Sequence, residues 1–202
     1  MWALSNRALT LPFLETLTRQ NPNTEKEFRQ AVAVCRALFA SKLKDYGTSW
    51  RILRPASLTD QLYIKAARAR TLQTCGTALV DEDQTDCFIA IVNYALVGLI
   101  QTELGAAMTA DLSNDVALSH YDRHAEESLQ LMLRKNHDYG EAWREMRVSS
   151  FTDIILQKIF RTKQIEDHDG HTQVSEGVAA NYQDMLNYAV FALIKLGVAK
   201  AS

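Results

Sequence analysis

The chain carries the same polar motif twice, and this duplication constrains its fold more than any other feature. The pattern K-x-x-D-Y-G-x-x-W-R-x-x-R-x-x-S-x-T-D-x(4)-K-x-x-R occupies residues 42–68 and returns 93 positions later at residues 135–161. After one inserted residue the match resumes, with Asn93-Tyr94-Ala95 aligned on Asn187-Tyr188-Ala189. A duplication retained only for packing would keep its apolar positions and lose its surface charges. Here the charged residues, the Tyr-Gly pair and the Trp persist, which favours a shared site chemistry.

The composition is that of a globular protein without a strong nucleic-acid signal. At 202 residues, of which 47% are hydrophobic, the chain can bury a sizeable core. A net charge of −2 gives no general polyanion-binding surface. No apolar run approaches the ~20 residues of a membrane span, and the N-terminus lacks a secretory signal pattern. Because the three cysteines show no C-x-x-C spacing, we expect reduced thiols in a cytoplasmic protein.

Helical periodicity and scarce glycine and proline predict an all-α fold. The expected architecture is a helical bundle of two tandem three-helix repeats, at about residues 24–104 and 112–196, related by a pseudo-twofold axis. The repeats pack together as a single domain over residues 1–202, and a symmetric homodimer is compatible with this plan. Thr24–Glu27 has the shape of a capping box. The other candidate caps at helix starts are Ser57, Thr59, Ser113, Ser149 and Ser150.

Each repeat places a set of basic residues where phosphate could be bound. Lys65 and Arg68 stand at i, i+3 on one helix, so both cations project from one side. Guanidinium and ammonium groups together suit phosphate oxygens. The alternative is that these cations pair with local acids such as Asp60 and Asp153. The full set comprises Arg51, Arg54, Lys65 and Arg68 in repeat one, and Arg144, Arg147, Lys158 and Arg161 in repeat two.

The third helix of each repeat carries two carboxylates, though not at the same two positions. Repeat one offers Glu82 and Asp86, and repeat two offers Glu176 and Asp184, which aligns with Ala90. Carboxylates one or two turns apart are suitable ligands for Mg²⁺. They could equally face solvent or pair with the basic set. On the same helix face, the carboxylates are followed by polar residues that would contact substrate or hydrogen-bond between helices: Asn93, Tyr94, Asn187 and Tyr188.

The loop Asp-Tyr-Gly-x-x-Trp-Arg supplies aromatic rings next to the basic set. Gly47 and Gly140 permit a tight turn. The rings could stack on a nucleobase or anchor the loop on the helices, and anchoring is the simpler interpretation for the tryptophans. The candidate substrate-binding residues of this loop are Asp45, Tyr46, Asp138 and Tyr139, with Trp50 and Trp143 beside them.

Other motifs add little. His120 and His124 stand at i, i+4 and could be a metal pair, but the sequence offers no evident third ligand. No Gly-rich phosphate loop and no G-x-S-x-G motif occur. No residue is predicted to be catalytic.

Together these motifs resemble the nucleotide-modification-associated domain 1 family over residues 42–100 and 135–194. That family is distantly similar to the all-α MazG-type nucleoside triphosphate pyrophosphohydrolases. The resemblance implies Mg²⁺-dependent attack of water on a nucleotide phosphoanhydride, with Glu176 and Asp184, or Glu82 and Asp86, holding the metal. The lysine–arginine pairs of the second helices would neutralise phosphate charge. The pyrophosphohydrolases carry Glu-x-x-Glu on the preceding helix, where this chain has Asp60 or Asp153 followed by Lys and Arg.

Two functions therefore remain open from the sequence. The first is a nucleotide-binding protein with pyrophosphohydrolase activity, and the second is a non-catalytic helical module that binds a nucleotide or a protein partner. The complementary positions of Asp86 and Asp184 also allow one composite site, built from both repeats in a hollow between them.

Overall fold

In the computed structural model, residues 23–76, 83–168 and 176–200 are described, and they form six α-helices and no strand. This agrees with the predicted all-α fold of two three-helix repeats. Three short 3₁₀ helices lie at Ser49–Ile52, Ala142–Glu145 and Val198–Lys200. The α-helices are α1 (Thr24–Tyr46), α2 (Pro55–Cys75), α3 (Gln84–Leu104), α4 (Asn114–Tyr139), α5 (Val148–Asp167) and α6 (Val178–Lys195).

The third helix of each repeat, α3 or α6, forms the centre of the bundle. These two helices pack against each other, and each packs against the second helix of its own repeat. Both are buried on most faces, as their nearly continuous apolar sequence requires. α3 is long and apolar enough to cross a membrane, contrary to the sequence expectation. Most of it is buried inside the bundle, which is typical of the core helix of a soluble protein.

Equivalent helices of the two repeats contact each other, as a twofold relation requires. Side chains cross the α2–α5 contact in matched pairs. Thr59 Oγ1 donates to Glu166 Oε1 at 2.7 Å, and Gln73 Nε2 donates to Thr152 Oγ1 at 2.9 Å. At the 93-residue offset Thr59 corresponds to Thr152 and Gln73 to Glu166. Each hydrogen bond is therefore the twofold counterpart of the other.

Asp60 and Asp153 take part in a second matched pair across the same contact. Lys163 Nζ lies 2.6 Å from Asp60 Oδ1, and Arg70 Nε lies 3.6 Å from Asp153 Oδ1. Lys163 and Arg70 are themselves equivalent positions. The structure thus gives these two motif aspartates a role between the repeats rather than in a substrate site. Both pairs are largely exposed, so each contributes little to stability.

Several helix starts differ from the sequence prediction. α1 begins after Asn23, and no side chain caps it. Thr24 and Glu27, the predicted capping box, instead contact Arg144 of repeat two, at 2.5 and 2.7 Å. α2 begins at Pro55, a residue whose fixed φ suits the first turn. Ser113 does cap α4, accepting from Val116 N at 3.3 Å.

Replacing Gly98 with alanine should destabilise the fold. An added Cβ would lie 2.8–2.9 Å from ring atoms of Tyr182. That ring is fully buried, and its hydroxyl lies 3.2 Å from Thr59 Oγ1, so it cannot withdraw. We expect Gly98→Ala to lower the free energy of unfolding by about 1–3 kcal/mol despite alanine's better helix propensity. Gly177→Ala is the control, because open space surrounds Gly177. Urea unfolding that finds the two variants equally stable would contradict this packing account.

Replacing Glu166 with glutamine should stabilise the protein at pH values above the range in which the Glu166 carboxyl group titrates. Burial, helped by the nearby Asp60 carboxylate, raises the pKa of Glu166. A raised pKa means that the folded state binds the proton more tightly than the unfolded chain does, so stability falls as pH rises. The side-chain oxygen of glutamine can still accept from Thr59 without the charge, and Gln73 shows that a glutamine fits the equivalent position, where its Nε2 donates to Thr152. We expect Glu166→Gln to raise Tm by about 1–3 °C at pH 8 and to have little effect near pH 4.

Thermal unfolding across this pH range tests the prediction. Glu145→Gln, which neutralises an exposed carboxylate elsewhere in repeat two, serves as the control. A Tm difference between Glu166→Gln and wild type that does not change with pH would contradict the stated cause.

Candidate anion-binding clefts

A cleft of about 680 Å³ opens within repeat one, between the end of α1, the following loop, α2 and α3. We call it cleft one. Two lysines line it, Lys42 from α1 and Lys65 from α2, and α3 contributes Asp86 and Ala90. Most of its other lining residues are apolar or aromatic. All its lining residues belong to one repeat, so cleft one is not the composite hollow between the repeats that the sequence suggested.

A tight turn after α1 brings the aromatic residues of the motif to cleft one. Gly47 has a φ of +60°, which favours glycine, and its N–H donates to Leu43 O at 2.9 Å. The 3₁₀ helix that follows returns Trp50 to the cleft wall, where its ring tilts on Phe39 at 6.4 Å. Tyr46 is 55% exposed at the rim. A planar ligand entering cleft one would therefore meet aromatic rings as well as lysines.

In repeat two the equivalent lysines share one carboxylate. Lys135 Nζ lies 2.7 Å from Asp184 Oδ1, and Lys158 Nζ lies 2.5 Å from Asp184 Oδ2. Burial alone would raise the pKa of Asp184, but the hydrogen bonds from both lysines outweigh burial and lower it. Asp184 is therefore an ionised carboxylate held between two ammonium groups.

One aligned position distinguishes the two lysine pairs. Lys42 and Lys65 correspond to Lys135 and Lys158, and Ala90 corresponds to Asp184. Repeat two thus supplies its own anion at a position where repeat one has a methyl group. Sequence analysis left Lys42 and Lys135 out of the candidate site. The available signal was that they are the first residue of both motif copies.

The same segments identify the family. The family model described as nucleotide modification associated domain 1 matches residues 42–102 and 135–196. The chain belongs to this family. Each matched segment begins at the first lysine of a pair and contains the rest of its cluster, so the family's two copies coincide with the two lysine sites. No curated protein and no solved structure matches the chain.

The first arginine of each motif copy, Arg51 or Arg144, holds the loop of its own repeat in place. Arg51 does not line cleft one. Arg51 is 3% exposed, and its Nε donates to Asp111 at 2.7 Å while Nη1 donates to Gly105 O at 2.7 Å. Arg144 donates to Glu141 at 2.6 Å and stacks on Trp143, with its Cζ 4.3 Å from the ring centroid. These contacts give both arginines structural partners, which the sequence could not name.

The two tryptophans of the motif have different surroundings: Trp143 anchors its loop on the helices, and Trp50 lines cleft one. Trp143 is buried and stacks on Phe191, with centroids 4.3 Å apart and planes 4° apart. The anchoring interpretation therefore holds for it. Trp50 is half-buried and lines cleft one.

The remaining candidates of α3 and α6 lie beside the lysines. Tyr94 lines cleft one, and burial raises its pKa. Tyr188 is likewise half-buried, and burial, with the nearby Asp184, raises its pKa. Asn93 lines the cleft but is held by two hydrogen bonds, donating to Cys35 O at 3.1 Å and accepting from the Tyr121 hydroxyl at 2.8 Å. Asn187, its counterpart, is buried.

Other predicted residues lie away from the cleft lining. Arg54 and Arg147 are exposed residues that precede α2 and α5. Asp45 is exposed, and Asp138 is exposed beside His137. The residues Arg68 and Arg161 are half-buried on α2 and α5.

Three of the four predicted magnesium ligands lie within the described residues, one in repeat one and two in repeat two. Asp86 lines cleft one, and its Oδ2 accepts from Asp83 N at 2.9 Å in the cap of α3. Glu82 lies outside the described residues. Glu176 is exposed and lies near Lys135, whose pKa it helps to raise. At Asp184 an added cation would face two ammonium groups, which is electrostatically unfavourable.

A different group of side chains could hold a metal ion. Glu103, at the end of α3, supplies a carboxylate to His120 and His124 on α4, and the three ligand atoms lie within 4.8 Å of one another. Sequence analysis found the two histidines but not Glu103. Glu103 lies on another helix, 17 residues before His120 and 21 before His124. A separation of this size does not predict that the side chains meet.

Proposed function

We propose that the chain binds a nucleotide in cleft one, with phosphate held by Lys42 and Lys65 and the base held among the aromatic residues. The observation that carries this proposal is that two lysines, Lys42 from α1 and Lys65 from α2, line the same cleft as several aromatic side chains. Ammonium groups bind phosphate as point charges, and aromatic faces accept nucleobases of any sequence. A volume of about 680 Å³ is within the range of small-molecule sites.

The family description supports the nucleotide rather than another phosphorylated molecule. It associates this domain with nucleotide modification, and the paired tyrosine and tryptophan at cleft one, Tyr46 and Trp50, suit a planar base. The proposal needs one nucleotide per chain, because in repeat two Asp184 already occupies the lysine pair.

Hydrolysis of the bound nucleotide is the second candidate, and Asp86 is the observation that favours it. This carboxylate lines the same cleft as the lysines. Mg²⁺ usually binds one or two carboxylates together with substrate phosphates and retains several waters. In this proposal Asp86 would hold a magnesium ion carried by the nucleotide, and no metal is assigned to Asp184 or Glu176. The metal would stabilise negative charge that develops on the phosphates.

Removing either cleft-one lysine should weaken nucleotide binding. Each charge-assisted hydrogen bond contributes about 1.5–3 kcal/mol, so Lys42→Ala and Lys65→Ala should each raise Kd about 10- to 100-fold. Lys26→Ala is the matched control, because Lys26 is exposed near the other end of α1. Calorimetric titration with a panel of canonical and modified nucleotides measures this. Equal binding by Lys26→Ala and Lys42→Ala would exclude cleft one as the phosphate site.

The same titrations with Mg²⁺ separate binding from hydrolysis. Pyrophosphate release that is lost in Asp86→Asn while binding persists supports the hydrolase. Binding without release across the panel supports the non-catalytic module.

Exchanging the residues at positions 90 and 184 should move the binding site from one repeat to the other. Ala90→Asp introduces a carboxylate beside the cleft-one lysines and should abolish binding there. Asp184→Ala removes the carboxylate between Lys135 and Lys158, and stoichiometry should rise from one nucleotide per chain to two. Because removing one partner of a buried ion pair is destabilising, Asp184→Asn provides a more conservative second variant.

The nucleotide affinity of Ala90→Asp tests the role of the cleft-one lysines even if the Asp184 variants fold poorly. Unchanged affinity in Ala90→Asp, in a variant whose helical content and Tm match wild type, would refute the role of the lysine pair.

A further inference from the structure

We infer that Glu103, His120 and His124 form a transition-metal site of the Zn²⁺ class, in which the Arg123 side chain takes the place of the ion when no metal is bound. This site lies at the end of α3 and along α4. None of its residues lines cleft one, so the inference is independent of the proposed nucleotide binding.

The three ligand atoms have the spacing that a tetrahedral ion needs. His124 Nε2 lies 2.9 Å and His120 Nδ1 lies 3.6 Å from Glu103 Oε2. Ligand atoms 2.0–2.2 Å from a tetrahedral Zn²⁺ are separated by roughly 3.4 Å. Two imidazoles and one carboxylate also match a common ligand set for this metal, which leaves a fourth position for water.

A positive group already occupies the point where these three atoms converge. Arg123 Nη2 makes a short hydrogen bond to Glu103 Oε2 and lies 3.1 Å from His120 Nδ1 and 3.3 Å from His124 Nε2. One nitrogen atom thus contacts all three candidate ligands. This nitrogen of a cationic group marks a position close to all three ligand atoms, which a metal could take with a small contraction of the ligands.

Arg123 has a second partner that would still bind its side chain after a metal ion had displaced it from Glu103. Its Nη1 donates to Glu127 Oε1 at 2.9 Å, a contact outside the ligand set. The arginine is 42% exposed, so its guanidinium can turn away from the ligands without unpacking the core. Metal binding would then exchange one cation for another at Glu103.

The other carboxylate oxygen of Glu127 orients the buried imidazole. His124 is 7% exposed, and its Nδ1 lies 3.0 Å from Glu127 Oε2. Without metal, His124 Nε2 lies 2.9 Å from Glu103 Oε2 and donates to it. With metal, a neutral imidazole that donates from Nδ1 would present its Nε2 lone pair to the ion. Metal-bound histidines usually have such an outer carboxylate, which fixes the tautomer and raises ligand basicity.

Titration of the full chain with Zn²⁺ and Co²⁺ tests the site. All variants should carry Cys75→Ser, because Cys75 is an exposed free thiol that could bind either metal. We expect one Co²⁺ per chain with the visible absorption of a four-coordinate ion. His120→Ala should weaken binding at least 10-fold, and His124→Ala should abolish it. Arg123→Gln should tighten binding at least 10-fold, since it removes the competing cation.

The controls separate a built site from general affinity for metals. His137→Ala alters an exposed histidine on the same helix and should change nothing. Glu103→Gln changes an exposed side chain and should weaken binding even if His124→Ala fails to fold. Arg123→Gln that binds metal no more tightly than wild type would overturn the inference. So would equal losses in His137→Ala and His120→Ala.

Discussion

Each repeat places two lysines beside its third helix, and in repeat two both bind one carboxylate of that helix. One lysine comes from the end of the first helix and the other from the second helix. In repeat two Asp184 provides the counter-charge from within the protein, with both carboxylate oxygens engaged at 2.7 and 2.5 Å. Repeat one has Ala90 at the aligned position, and its two lysines line cleft one together with Asp86. The two clusters therefore differ at this aligned position.

The duplicated motif serves three separate purposes. Arg51 and Arg144 hold each loop in place, and the aspartates Asp60 and Asp153 form matched ion pairs between the repeats. The lysines belong to two clusters, one lining cleft one, where we propose that a nucleotide binds, and one paired with Asp184. Retention of polar residues after duplication therefore reflects several constraints, of which ligand chemistry is one. Within the described residues, Thr59 and Thr152 each take part in a hydrogen bond across the contact between the repeats.

Local sequence signals predicted the helices well, because apolar periodicity and the Gly47 and Gly140 turns are properties of neighbouring residues. Helix starts were less predictable, since Thr24 and Glu27 resemble a capping box but bond to Arg144 across the bundle. The clusters themselves depend on pairs such as Lys135 and Asp184, 49 residues apart. The motif identified most members of each cluster. It could not show that Asp184 would bind lysines instead of metal.

The account's central claim is that nucleotide phosphate binds between Lys42 and Lys65 and not in repeat two. A crystal structure of the wild-type chain with a bound nucleotide tests it directly. We expect phosphate oxygens within hydrogen-bond distance, about 2.7–3.2 Å, of both cleft-one ammonium groups, with Asp184 still paired to its two lysines. A nucleotide bound at Lys135 and Lys158, or held by Arg54 and Arg147 away from cleft one, would contradict the account.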